Sequence, residues 1–372
     1  MANNKQKKKS PVGKIILFVV EIILLISLLV VLWVVLKATD EDTGVERVEL
    51  FQNEEKIIVP DKAAVNKEVQ DNDVLKGYRN IALFGVDSRG GQLKTGTRSD
   101  TIMVASINLD TKDIKLVSVY RDSYLCINPA NDKDAQRYEK CNSAYAYGGA
   151  EQAIQMMNSN LDLDITDFVT IGFIGLKDVI DALGGVYIDV DEQEIRHLNN
   201  YQIMMVKEVE GIDAYKSVTE TGYQLLDGLQ ATAYCRIRYT AGSDFKRTER
   251  QREVIKACLD KAKTASPAAL AKICNNVFSE IYTSFNIDEI LELLGGITEY
   301  TIVDEGGFPQ LDQLTIKKIG SGAECVIPAD LSSNVKWLHG FLFDEKGYEV
   351  SDTVREFSEQ IDIDTAPYAA NN

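Results

Sequence analysis

Histidine is nearly absent from this chain: His197 and His339 are the only two in 372 residues. The six cysteines include no C-x-x-C pair, so a structural zinc site has no ligand set to draw on. No G-x-S-x-G elbow occurs, and with so few histidines a serine hydrolase lacks support. A P-loop is missing too, and no internal repeat is present. Basic charge is scarce beyond the amino terminus. The formal net charge is -17, yet six lysines and one acid, Glu21, fall in the first 37 residues, leaving 34 bases against 56 acids from position 38 onward. A body this acidic repels nucleic acid, whose binding rests on neutralising phosphates, and no nucleic-acid partner is expected.

One long hydrophobic run does occur. Ile15 to Leu36 spans 22 positions with Glu21 as its single charge, long enough at 1.5 Å per residue to cross a ~30 Å hydrocarbon layer. It exceeds the apolar core of a signal peptide, and no small-x-small cleavage site follows Leu36. The reading is a cytoplasmic tail over 1–14, a retained transmembrane anchor over 15–36 and an extracytoplasmic body. The lysines from Lys5 to Lys14 hold the amino terminus in the cytoplasm by the positive-inside rule. Residues 37–77 are polar and read as a stalk. The cysteines then lie where disulfides persist. Cys126 and Cys141 bracket a polar loop and are the pair expected to bridge, with isolated buried thiols as the alternative.

The folded body is expected over 78–361, with a polar, frayed tail over 362–372. Arg79 to Val86 reads as a buried strand, and Thr101 to Leu109 with Ile114 to Tyr120 as a hairpin. Further strands are expected at Phe168 to Phe173, Val186 to Val190 and Leu314 to Ile319. Helical spacing covers Ser143 to Leu161, Leu176 to Leu183, Lys246 to Ala262, Ala268 to Tyr282 and Ile287 to Leu294. This alternation predicts an α/β fold, a mixed β-sheet with helices on both faces in a three-layer sandwich, preceded by the one transmembrane helix.

Arginine placement carries the chemistry. Five of 13 arginines, at 236, 238, 247, 250 and 252, fall within 17 residues. A rigid guanidinium fork suits bidentate phosphate binding better than a lysine point charge. Arg247, Arg250 and Gln251 are spaced i, i+3, i+4 and share a helix face, while Arg252 is expected to point elsewhere into solvent. Ordinary surface ion pairs with Glu249 and Glu253 are the bland alternative. Asp87 follows the first strand, Arg98 and Asp100 precede the second, and Arg121 and Asp122 close the third. Magnesium needs one or two carboxylates, with waters and phosphates completing its shell, and Asp87 with Asp100 meets that need. Turn or cap duty is the alternative for both.

Several blocks resemble the LytR-CpsA-Psr family: N-I-A-L-F-G-V-D-S-R over 80–89, R-S-D-T-I over 98–102, V-S-V-Y-R-D over 117–122 and K-C-N-S-A-Y over 140–145 with Gly148-Gly149. The same order continues through Ala182 to Val186, Leu226 to Gly228, Arg236-x-Arg238, Asp244, Arg247 and Arg250-Gln251. The resemblance covers about 180 residues behind a short tail and one anchor, with its core motifs over 79–262. It implies a bacterial plasma-membrane enzyme, catalytic domain outside, that moves a teichoic-acid-like or capsular glycopolymer from undecaprenyl pyrophosphate to a peptidoglycan acceptor. By position it implies Asp87 and Asp100 as ligands of Mg2+ or Mn2+. Arg98, Arg121, Arg236, Arg238, Arg247 and Gln251 would surround the pyrophosphate, with Arg98, Arg121 and Asp122 catalytic. Arg89, Asn142, Asp244 and Arg250 would support them. An apolar pocket for the polyprenyl chain is implied around Phe168 to Phe173 and the helix after it, which makes membrane lipid a partner.

The third block departs from the family, which commonly has proline where Tyr120 stands. Tyrosine frees the backbone angle and restores an N–H donor next to Arg121. Two other functions would use the same pocket: a non-catalytic sensor or attenuator that binds a polyprenyl-phosphate intermediate, and a lipid-pyrophosphate hydrolase.

Overall fold

The computed structural model describes residues 65–368 apart from 88–91, 130–132, 210, 239–242, 321, 323 and several positions between 267 and 279. The tail and anchor read over 1–36 lie outside these residues. Among the described residues no helix is long and apolar enough to cross a membrane.

The first three strands fall where β-branched runs predict them: β1 Tyr78–Val86, β2 Ser99–Asn108 and β3 Asp113–Val119. They form the middle of a six-stranded sheet completed by β6 Asp167–Ile171, β9 Ile281–Thr283 and β10 Thr301–Phe308, in the order β10-β3-β2-β1-β6-β9. The pairs β1–β2, β2–β3 and β6–β9 are antiparallel, while β1–β6 and β3–β10 are parallel, so the sheet is mixed. Because β9 and β10 supply its edges, the chain after Pro267 completes this one domain.

Side chains alternate across a strand, and β1 shows both faces buried. Ala82, Phe84 and Val86 face a core shared with helices α2 Asn142–Leu161, α8 Leu331–Phe343 and α9 Asp352–Thr365. Ile81 on the opposite face joins Ala105, Ile107, Leu116 and Phe285, under Ile255 of α6 Ser243–Thr264 and Ile290 and Leu293 of α7 Ile287–Gly295. A separate core unites α3 Phe173–Ala182, α4 Glu192–Glu208 and α5 Gly228–Tyr234 with the hairpin of β7 Val186–Val190 and β8 Gly222–Leu226. The expected α/β sandwich is present. Gly184 and Gly185, at φ +77° and +85°, stop α3 as read from the sequence.

Five expectations need correction. Residues 65–77 are folded rather than stalk. A short helix, α1 Lys67–Gln70, carries Val69 and is followed by Leu75, both buried in the main core, and the Asn66 amide donates to Ser159 O at 3.0 Å and Asp162 Oδ1 at 2.5 Å. At the other end α9 runs through 362–365 and a 3-10 turn continues it to Tyr368, with Asp364 accepting a hydrogen bond from Tyr124 at 3.0 Å, so the tail is not frayed there. Within the helix read over Ala268 to Tyr282 the described positions 269, 270, 273, 274 and 277 are helical, but the helix does not reach Tyr282, because Ile281 and Tyr282 belong to β9. Arg252 is not solvated: it is 6% exposed and donates to Ser118 Oγ at 2.7 Å.

The fifth correction concerns the disulfide. Cys126 and Cys141 are both free and fully buried. The loop between them is a hairpin of β4 Tyr124–Asn128 and β5 Arg137–Lys140, in which Cys126 pairs with Tyr138 and Tyr124 with Lys140. That register sets Cys141 about three residues, ~10 Å, along the ladder from Cys126, too far for the 4.4–6.8 Å Cα separation of a bridge.

Candidate functional site

Gly85 of β1 lies opposite Thr101 of β2 and beside Ile171 of β6, so Asp87 and Asp100 sit at one end of the sheet. A Cβ on Gly85 would come within 2.8 Å of Thr101 Oγ1, which is why only glycine fits there. A cavity of about 400 Å³ opens at this end, on the face opposite the main core. Much of its lining is apolar, formed by Leu83, Val169 and Ile171 of the sheet, Phe173 and Leu176 of α3, and Val254 of α6. Asp87, Asp100, Arg236, Arg238, Arg247 and Gln251 line the same cavity. Six residues spread over 165 positions of sequence thus meet in one polar mouth, with apolar lining beside it. The expected apolar pocket around 168–173 corresponds to this lining.

The mouth is held by an interlocked set of charges. Asp100 accepts from Arg121 Nη1 at 2.5 Å and from Arg238 Nη2 at 2.9 Å. Asp244 Oδ2 accepts from Arg121 Nε at 3.0 Å and from Arg247 Nη2 at 3.0 Å. Burial resists the charge on Asp100, but the guanidiniums of Arg121, Arg247 and Arg238 outweigh it and hold its carboxyl below the usual range. Of the charged residues that line the cavity, three are arginines, at 236, 238 and 247, and two are aspartates, at 87 and 100, so positive charge is in excess there, while Arg121, Asp122 and Asp244 brace it from outside the lining.

Several donors here have no acceptor. Arg247 is 2% exposed, yet its Nε and Nη1 are buried without a hydrogen-bond partner among the described residues, as is Nη1 of Arg236. Gln251 Oε1 is likewise unmatched. The Arg236 guanidinium lies 4.2 Å from the Phe173 ring centroid and 5.4 Å from that of Tyr201, which fixes its plane and leaves its edge available. Burial, with the charge of Arg121 added, lowers the Arg247 pKa to about 10. An unmatched buried donor costs about 1–3 kcal/mol, so the arrangement is stabilised when a ligand brings acceptors. Phosphate oxygens match guanidinium forks in geometry and charge.

Among the described residues no three acids, histidines or cysteines gather as a metal cage. Asp87 and Asp100, as the two carboxylates of one cavity, fit a magnesium ion that takes its other ligands from water and substrate phosphates. Both oxygens of Asp100 accept from arginine, so a metal there would compete with Arg121 and Arg238.

Other expected residues stand apart. Arg98 is exposed at the start of β2 and does not line the cavity. Asp122 binds Lys140 at 2.9 Å and also lies off the cavity. Asn142, 4% exposed, starts α2 and donates its N–H to Arg121 O at 3.1 Å, anchoring that turn. Arg250 shares no wall with Arg247 and Gln251. It turns to α4, where its Nε meets Glu194 Oε1 at 2.7 Å with both side chains buried. Arg89 lies outside the described residues. No arginine of α6 pairs with Glu249 or Glu253 among the described residues; these meet Lys246 and the Tyr234 hydroxyl.

Sequence reasoning missed Glu194 and Tyr201, and it named Phe173 only as part of the apolar pocket's wall. Glu194 is already explained locally as the third helical residue of a capping box with Asp191, whose N–H it accepts at 3.0 Å, and nothing in that motif announces a second partner.

A family model described as the LytR_cpsA_psr family matches residues 39–305. The chain is 27% identical over 241 residues to the polyisoprenyl-teichoic acid–peptidoglycan teichoic acid transferase TagT of Bacillus subtilis, covering 64% of this chain and 70% of that protein. It is 31% identical over 231 residues to the transferase TagU of Enterococcus faecalis, covering 61% and 68%. Among solved structures, the fold superposes on a TagT with bound octaprenyl pyrophosphate lipid at a TM-score of 0.54, with 23% identity over 77% of this chain and 99% of that one.

Proposed function

Because the chain belongs to the LytR_cpsA_psr family, we propose that it transfers an anionic glycopolymer, teichoic-acid-like or capsular, from a polyprenyl-pyrophosphate carrier to peptidoglycan. The observation that carries this is the set of unmatched buried donors of Arg236 and Arg247 at the polar mouth of an apolar cavity. A polyprenyl chain fits the apolar lining, and its pyrophosphate fits the mouth. The related TagT and TagU are transferases of this type by name.

In this reading Arg236, Arg238, Arg247 and Gln251 hold the pyrophosphate, and Arg121 balances charge on the phosphate under attack. Phosphoryl transfer is catalysed chiefly by such positioning and charge stabilisation. A sugar hydroxyl of peptidoglycan forms a new bond to the polymer-side phosphorus, the bridging P–O bond breaks, and polyprenyl phosphate leaves. Asp87 and Asp100 would hold magnesium, which supplies charge neutralisation on the phosphate oxygens. Asp122 is engaged by Lys140, so the hydroxyl proton passes to water in this arrangement. Arg98, exposed just before β2, would meet the incoming polymer. The body would stand outside the plasma membrane on the anchor over 15–36.

The test is direct binding of octaprenyl pyrophosphate to the full chain in detergent, followed by calorimetry. Saturable binding weakened by Arg236→Ala is expected. Binding that is indifferent to Arg236, or equally good for octaprenol without phosphate, would overturn the assignment.

A further inference from the structure

A second cavity of about 410 Å³ lies where the β4–β5 hairpin meets α9, and it shares no lining residue with the first. Tyr124 and Tyr138 of the hairpin form one side, their rings 6.2 Å apart and tilted. Glu356, Gln360 and Asp364, spaced i, i+4, i+8 on one face of α9, form the other. These three residues lie beyond the residues 39–305 that match the family model.

The charges lining it balance: Lys133 and Arg137 stand against Glu356 and Asp364. A polyanion therefore gains nothing here, unlike at the arginine-rich mouth. A lipid chain is disfavoured as well, since the lining is polar apart from tyrosine rings. An uncharged polyhydroxyl ligand fits: aromatic faces take the C–H side of a sugar, while amides, carboxylates and a tyrosine hydroxyl take its hydroxyls. The groups are preset for this. The Tyr124 hydroxyl donates to Asp364 Oδ2 at 3.0 Å, Gln360 Nε2 to Asp364 Oδ1 at 2.7 Å and the Tyr138 hydroxyl to Gln136 Oε1 at 3.3 Å.

The hairpin also ties this cavity to the first. Tyr124 follows Arg121 by three residues, a span of at most about 11 Å. Lys140, the last residue of β5, binds Asp122 at 2.9 Å. We propose that this second cavity is a saccharide subsite that seats the acceptor glycan strand of peptidoglycan beside Arg121. The proposal rests on the transferase reading above.

The experiment titrates the full chain in detergent with peptide-free glycan oligosaccharides from peptidoglycan and, separately, with octaprenyl pyrophosphate. It compares wild type with Gln136→Ala/Gln360→Ala, whose denaturation midpoint is checked first. Loss of two hydrogen bonds should weaken the glycan roughly tenfold or more and leave the lipid unchanged. In transfer assays the KM for glycan should rise while kcat and the KM for lipid stay the same. Equal glycan binding by wild type and variant, or tighter binding of the carrier's own polymer sugars, would overturn the acceptor subsite even where lipid binding stands. Loss of lipid binding in wild type would instead strike the transferase reading.

Discussion

Arg247 is where stability and function pull apart. Its charge is buried, two of its donors are unmatched and Arg121 repels it. Arg247→Met should therefore be at least as stable as wild type in chemical denaturation, while the affinity for octaprenyl pyrophosphate falls by about 2–3 kcal/mol, roughly 30–150-fold. A markedly less stable variant would make Arg247 a structural residue. Glu194 is the converse case. Glu194→Ala takes the carboxylate away from the buried Arg250 charge, and a loss of about 3–5 kcal/mol in unfolding free energy is expected. A loss under 1 kcal/mol would show that Arg250 finds solvent instead. His339 gives a pH signature. Burial lowers its pKa from 6.5 to about 4, against the opposing pull of Leu161 O and Glu345. The unfolded chain then binds more protons between these values, so this contribution to stability is present above pH 6.5 and is lost as pH falls toward 4. Asp162, whose carboxyl burial pushes up, acts in the opposite sense, so the informative quantity is the difference from His339→Phe. That variant should show a flatter decline between pH 6.5 and 4, and identical slopes would exclude His339. At this scale the i, i+4 spacing of Arg247 and Gln251 was legible. The partner of Arg250 was not, because Glu194 satisfies a local motif.

Among the elements, β1, β2 and β3 were readable because long β-branched runs leave little else possible. The β4–β5 hairpin was not: β5 is Arg-Tyr-Glu-Lys, whose one apolar side chain, Tyr138, is placed by Phe357 of α9 at 6.0 Å, more than 200 residues away. Residues 65–77 were missed for the same reason, since in a polar segment Val69 and Leu75 become anchors only once the core exists. Tyr120 shows what the family's usual proline would forgo. Its N–H donates to Phe308 O at 2.9 Å, tying β10 to the end of β3, and its ring meets Phe245 of α6 at 4.6 Å. Tyr120→Pro removes both, and a loss of about 2–4 kcal/mol in denaturation is expected from the missing hydrogen bond and the emptied ring site. A neutral outcome would mean that β10 is held without it.

At the scale of the whole molecule, a body of strongly negative charge keeps one cluster of excess positive charge, and the fold assembles it from strand ends and helices over 100 residues apart. Sequence order could name the members through family resemblance, but their pairing, with Asp100 and Asp244 interleaved among arginines, is a tertiary fact. The central claim is a transfer reaction at that cluster. The most direct measurement incubates the full chain in detergent with a synthetic polyprenyl-pyrophosphate oligosaccharide, magnesium and peptidoglycan fragments, for wild type and Arg121→Ala. Oligosaccharide joined to peptidoglycan through phosphate by wild type, and not by the variant or in excess chelator, is the predicted result. Free sugar phosphate, or tight lipid binding without any product, would contradict it.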